Sequence, residues 1–156
     1  MSAEGVWRDD GLCLVCGADN AAGLHLHFTY SPAGARAEGE VPPHLQGYAR
    51  TAHGGVVSAI LDEAMYYAVA ARGMPGVATG ELTVRYRAPL HTATPFTVEA
   101  TCERHTRRFA KCTAQIWSEG RVVADAEGLF LPVQAEFRSA AARQAQEAGE
   151  ASNEDA

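Results

Sequence analysis

The chain has 156 residues, 47% of them hydrophobic, which suits one domain with a sizeable core and excludes a chain disordered throughout. Its formal net charge of -6 argues against nucleic acid or an anionic membrane as the main partner. Half of that charge lies after Ala135, where Glu136, Glu147, Glu150, Glu154 and Asp155 outnumber Arg138 and Arg143, so the body is only mildly acidic and an anionic ligand stays open.

Residues 1–22 lack periodic pattern and predict a loop-like N-terminal arm. The start carries neither a basic cluster nor an apolar run, so no secretory signal is expected. Four cysteines (Cys13, Cys16, Cys102 and Cys112) then fit a reducing compartment, and a cytoplasmic location is expected. From Gly23 the period is two, with Leu24, Leu26, Phe28 and Tyr30 on one side and His25, His27 and Thr29 on the other. Ser31-Pro32-Ala33-Gly34 signals a turn into a second alternating run, Ala35 to Val41, closed by Pro42-Pro43.

A helix is predicted from Gly54 to Gly73, with Pro75-Gly76 beyond it. It is apolar nearly all round, the mark of a buried helix, and Asp62 and Glu63 interrupt it, so it is no membrane span. Four strand-like runs follow: Leu82 to Ala88, Phe96 to about His105, Phe109 to Ser118, and Val122 to Pro132. Small residues at Ala110, Cys112, Ala114, Ala124, Ala126 and Gly128 would let a helix approach that sheet closely. Two strands, one helix and four antiparallel strands make an α+β layer, a long antiparallel sheet wrapped around one central helix over residues 23–134. The tail, 135–156, has too few large apolar residues to join the core and reads as frayed helix or flexible chain.

Two carboxylates in a buried helix need an explanation, because an uncompensated buried charge costs several kcal/mol. On a helical wheel the stripe centres on Val56, Val57, Ile60, Leu61, Ala64, Met65 and Ala68, and Asp62 and Glu63 flank it on opposite sides. They are therefore not a catalytic pair. Asp62 shares its side with Ser58, Met65, Tyr66 and Val69, surroundings that would raise a carboxyl pKa toward that of a useful base. The competing reading is an ion pair with a sheet arginine, or exposure at the helix edge. At the helix start, His53-Gly54-Gly55 offers backbone N–H groups to a carbonyl oxygen or anion, aided by the helix dipole. Its plainer reading is a flexible turn with His53 bonded to the backbone.

Asp62 follows His53 by nine residues. With this spacing, Val77-Ala78-Thr79-Gly80-Glu81-Leu82-Thr83-Val84-Arg85-Tyr86-Arg87-Ala88-Pro89, and Cys13-Leu14-Val15-Cys16-Gly17 before Gly23-Leu24, the chain resembles the hotdog-fold acyl-CoA thioesterases of the phenylacetate-pathway (PaaI-like) type over about residues 12–133. The resemblance implies a hotdog fold and hydrolysis of an acyl-CoA to free acid and coenzyme A, with no cofactor beyond the coenzyme A of the substrate. It implies the Gly55 amide as oxyanion donor, shaped by His53 and Gly54, and Asp62 as nucleophile or general base. Thr79 would orient water, and Gln46 falls near a polar substrate-binding position, although Arg50-Thr51-Ala52 replaces the family's Gly-rich approach. Glu63 occupies a variable position and reads as structural.

Gly55 and Asp62 lie seven residues apart, about 10 Å along a helix. One carbonyl group cannot comfortably reach both, so antiparallel helices in a two-fold dimer should pair Gly55 of one chain with Asp62 of the other. A homodimer or a dimer of dimers is expected, with no nucleic-acid or membrane partner. For the anionic nucleotide of coenzyme A the available cations are Arg85, Arg87, Arg104, Arg107 and Arg108, of which Arg107 and Arg108 are favoured. Cys13-x-x-Cys16 with His25 and His27 downstream is an incomplete zinc pattern, and no metal is expected. The rival readings are a noncatalytic acyl-CoA-binding protein on the same fold and a hotdog enoyl-CoA hydratase or dehydratase.

Overall fold

The computed structural model describes residues 11–74 and 76–133. The predicted tail, 135–156, and the first ten residues of the predicted arm lie outside the described residues. In chain order the elements are β1 (Thr29–Ser31), β2 (Gly34–Gly39), a 3-10 turn (Pro43–Leu45), α1 (Gly54–Ala70), β3 (Val77–Tyr86), β4 (Phe96–His105), β5 (Ala110–Ser118) and β6 (Arg121–Pro132). The six strands form one antiparallel sheet in the order β1-β2-β4-β5-β6-β3, and α1 packs across one face. This is the one-helix, one-sheet layer that the sequence pattern implies.

Alternation decides which face of the sheet α1 covers. Phe96, Val98, Ala100 and Cys102 of β4 are buried, as are Ala110, Cys112, Ala114 and Ile116 of β5, while their neighbours look outward. The small residues on β5 and β6 act as the sequence suggests. At Gly128 an added Cβ would stand 3.0 Å from Met65 Cε and 2.9 Å from the Phe130 ring, so glycine is what lets Met65 reach the sheet. On α1 the buried residues are Val57, Ile60, Leu61, Ala64, Met65, Ala68 and Val69. Each of the larger ones contributes about 1.5–3 kcal/mol on burial, so packing rather than propensity holds a helix that starts with two glycines. Val56 is only half-buried and Val69 takes its place in the core.

The first predicted strand needs correction. Leu24 and Leu26 are buried as the period-two pattern implies, but the sheet strand covers only Thr29–Ser31. His25 has φ 54, which interrupts extended chain, and its Nε2 lies 2.6 Å from Asn20 O. The segment pairs instead with the arm, as Leu24 N–H donates to Leu14 O (2.9 Å) and Leu26 N–H to Val15 O (2.8 Å). Its backbone is thus satisfied outside the sheet. Among the described residues, no helix is long and apolar enough to cross a membrane.

Candidate active site

The helix start is prepared by a closely braced loop. Gly47 N–H donates to Thr51 O, His53 N–H to Leu45 O and Ala52 N–H to Leu90 O, which fixes the chain direction into α1. His53 is the N-cap, with extended φ and ψ of -60 and 138, and its Nδ1 accepts from Gly55 N–H at 2.9 Å. That bond places the ring proton on Nε2. The plainer reading of the motif is therefore realised in the single chain: the Gly55 amide is engaged by His53, and a ligand oxygen would share or displace that bond. The adjoining Gly54 N–H has no partner among the described residues.

Asp62 lies two turns along the same helix, half-buried, and forms no ion pair among the described residues. Thr79 Oγ1 donates to its Oδ1 at 2.6 Å. Loss of solvation pushes the carboxyl above its ordinary range, and the Thr79 hydrogen bond partly opposes the rise. The Thr79 position follows from a β-bulge. The β3–β6 register steps between Thr79 and Glu81, so Gly80 is the extra residue and the strand is re-aimed next to Thr79. One oxygen of Asp62 is thus held in place.

Glu63, on the other flank, meets different chemistry. Its Oε1 accepts from the thiols of Cys16 (3.0 Å) and Cys13 (3.6 Å). The separation of the two acids read from the wheel holds, and neither needs a sheet arginine in the way the competing reading supposed.

Gln46 is exposed, and its Oε1 accepts from Arg50 N–H (3.1 Å), so its amide braces the loop in which Arg50 takes φ 57. Among the described residues no hydrogen bond joins it to Asp62. Of the five candidate cations, Arg85 and Arg87 pair with Asp125, which holds that carboxyl below its usual range, and Arg104 stacks 5.5 Å from the Phe109 ring centroid. Arg107 and Arg108 stand exposed at the β4–β5 tip, in a turn braced by Thr106 Oγ1, which accepts from Arg108 N–H at 3.1 Å. Register places that tip. Thr79 pairs with Phe130, Phe130 with Ala110, and Ala110 with His105, so Thr79 and the tip lie at the same end of the sheet. Three strand spacings separate them, about 15 Å.

A residue the sequence reading passed over is Tyr86. Its hydroxyl donates to Gly54 O (2.9 Å) and lies 2.6 Å from Ser58 Oγ, tying β3 to the first turn of α1. The alternation of β3 set Tyr86 with Leu82 and Val84 on the helix side, and only the fold shows which turn it meets. Two surface concavities, one lined by Glu38, Phe96 and Trp117 and the other by Tyr30, Arg36 and Thr101, include none of Gly55, Asp62 or Thr79.

The sequence model of the thioesterase superfamily matches residues 49–124, which contain the loop, α1 and most of the sheet. Among solved structures, the chain is similar to a thioesterase superfamily protein at 27% identity and TM-score 0.71, over 77% of this chain and 60% of that one. It thus spans less than two thirds of that relative's length. It is also similar to a variant of the phenylacetic acid degradation protein PaaI from Thermus thermophilus, at 28% identity and TM-score 0.63, over 69% and 93% of the two chains. The E. coli PaaI protein shares the fold at 17% identity and TM-score 0.65, over 71% and 81%. No curated protein matches the sequence. With a six-stranded antiparallel sheet against one helix and a sequence match through its centre, the chain has the hotdog fold and is similar to the thioesterase superfamily, PaaI-like proteins among them.

Proposed function

We propose that the protein hydrolyses an acyl- or aryl-acyl-CoA thioester at a site shared between two chains. The observation that carries this reading is the half-buried Asp62 carboxylate, paired with no cation among the described residues and steered by Thr79, on the same helix as the Gly54-Gly55 amides. In the reaction the thioester oxygen takes the Gly55 N–H of one chain, with His53 Nδ1 yielding or sharing it. Asp62 of the other chain attacks the carbonyl carbon or removes a proton from the attacking water. Water supplies OH to the acyl carbon and H to the departing thiolate, giving free acid and coenzyme A.

A dimer is supported by β3, a ten-residue edge strand whose residues after Val77 are mostly exposed. A long uncovered edge is a template for a second chain. Thiol release from short, long and aromatic acyl-CoAs tests the activity. Saturable binding without release across that panel would establish the noncatalytic reading instead.

Two expected results follow from the geometry. Replacing Thr79 with Val removes the bond that lowers the Asp62 pKa, so the acid limb of the kcat/KM profile should move to higher pH, with a loss of about tenfold near neutrality. The pH–rate profile of the variant checks this. Replacing Arg107 and Arg108 together with Gln should raise KM for acyl-CoA several-fold while leaving kcat unchanged, with less sensitivity to salt. A KM that stays at the wild-type value would remove the nucleotide contact from the account.

A further inference from the structure

The fold brings Cys13, Cys16 and Glu63 together although 47 and 50 residues separate the thiols from the carboxylate. Their sulfur and oxygen atoms all lie within 4.8 Å of one another. We propose that these three side chains bind one zinc ion, with water at the fourth position, which fastens the N-terminal arm to the central helix. The sequence pattern of two thiols lacked a third donor because it looked to His25 and His27. The structure supplies Glu63.

The distances suit that ion. Tetrahedral zinc with Zn–S about 2.3 Å and Zn–O about 2.1 Å sets sulfur and oxygen ligands about 3.6 Å apart. Cys13 Sγ already stands 3.6 Å from Glu63 Oε1, and Cys16 Sγ, at 3.0 Å, needs to open by about half an ångström. The turn around the thiols is also built for the purpose. Val15 N–H donates to Cys13 Sγ (3.4 Å), so a backbone donor already orients that sulfur. Gly17 N–H closes the turn on Cys13 O (3.0 Å). A Cβ at Gly17 would lie 2.5 Å from Cys13 N, Cys13 O and Gly11 O, so only glycine permits so tight a loop.

Loading balances simply. Zinc enters as Zn²⁺, Cys13 and Cys16 each lose one proton to solvent, and Glu63 binds as its carboxylate, which leaves a site of net charge -1. The benefit falls on the arm, whose Leu14 and Val15 carbonyls pair with Leu24 and Leu26, and on the α1 turn that also carries Asp62.

The reduced full-length protein should carry about one zinc per chain, and cobalt(II) replacement should give an intense sulfur-to-cobalt charge-transfer band. Chelator treatment should remove the metal and lower Tm. The band should vanish in Cys13→Ser/Cys16→Ser and persist in Cys102→Ala/Cys112→Ala, and each variant's circular dichroism should match the wild type. A reduced native protein that retains no zinc and gives no charge-transfer band with cobalt would overturn the proposal without need of any variant. A band that survives loss of Cys13 and Cys16 would overturn it as well. Neither readout depends on thioester hydrolysis.

Discussion

Replacing Asp62 with Asn should cut thioester hydrolysis by about 10²–10⁴-fold while leaving the protein folded and, near neutral pH, more resistant to heat. The loss follows because an amide neither attacks a carbonyl carbon nor takes a proton from water. The gain follows from the sign of the pKa shift. Burial raises the folded-state pKa of Asp62 above its unfolded value, so the folded protein holds that proton more tightly. Stability attributable to Asp62 therefore falls as pH rises through the window from the ordinary value of 3.8 to the raised one, and the penalty is complete above it. The substituted asparagine would carry no charge to desolvate and would keep a carbonyl oxygen for the Thr79 hydroxyl. Thermal melts at acid and neutral pH, alongside thiol-release assays, check both halves. A variant that melts lower at neutral pH would mean that the carboxylate is a structural group.

Phe130→Ala should have the largest effect on the fold, a loss of about 3–5 kcal/mol. Phe130 is 1% exposed and sits between Ala110 of β5 and Thr79 of β3 in the sheet register. Its ring and Met65 crowd the same space above Gly128, so little can collapse into the cavity left behind. Against a total stability of about 5–15 kcal/mol, that removes a large share. Urea denaturation monitored by the midpoint checks it. Because Thr79 pairs with Phe130, the loosened sheet should also lower turnover at temperatures where the variant is still folded.

How much of this was legible depends on the range over which each contact acts. The runs that became β4, β5 and β6 could be read because side-chain alternation is local and the face toward α1 carries an unusual series of small residues. The helix was legible for the same reason, and so was the opposite placement of Asp62 and Glu63, since both depend only on a repeat of 3.6 residues. The Leu24–Phe28 segment misled because alternation reports burial, not pairing partner. Its backbone bonds go to Leu14 and Val15, a choice that no period reveals. Glu63 reads as structural from its flank of the helix, and only a docked arm shows that it faces two thiols. Tyr86 and Ser58 likewise meet across the gap between β3 and α1. The seven-residue gap from Gly55 to Asp62 was legible from the start, and the half-covered carboxylate in the single chain gives it physical weight.

The shared site is the central claim, and mixed dimers test it most directly. Asp62→Asn lacks the carboxylate, and Gly55→Pro lacks the amide proton at a first-turn position that tolerates proline. Each variant alone should be nearly inactive. In a dimer with one chain of each kind, Gly55 of the Asp62→Asn chain faces the intact Asp62 of its partner, and one of the two sites is whole. Random exchange at equal amounts should therefore restore about a quarter of wild-type turnover. No recovery, with mixed dimers verified by mass, would mean that Gly55 and Asp62 of one chain act together and would contradict the account.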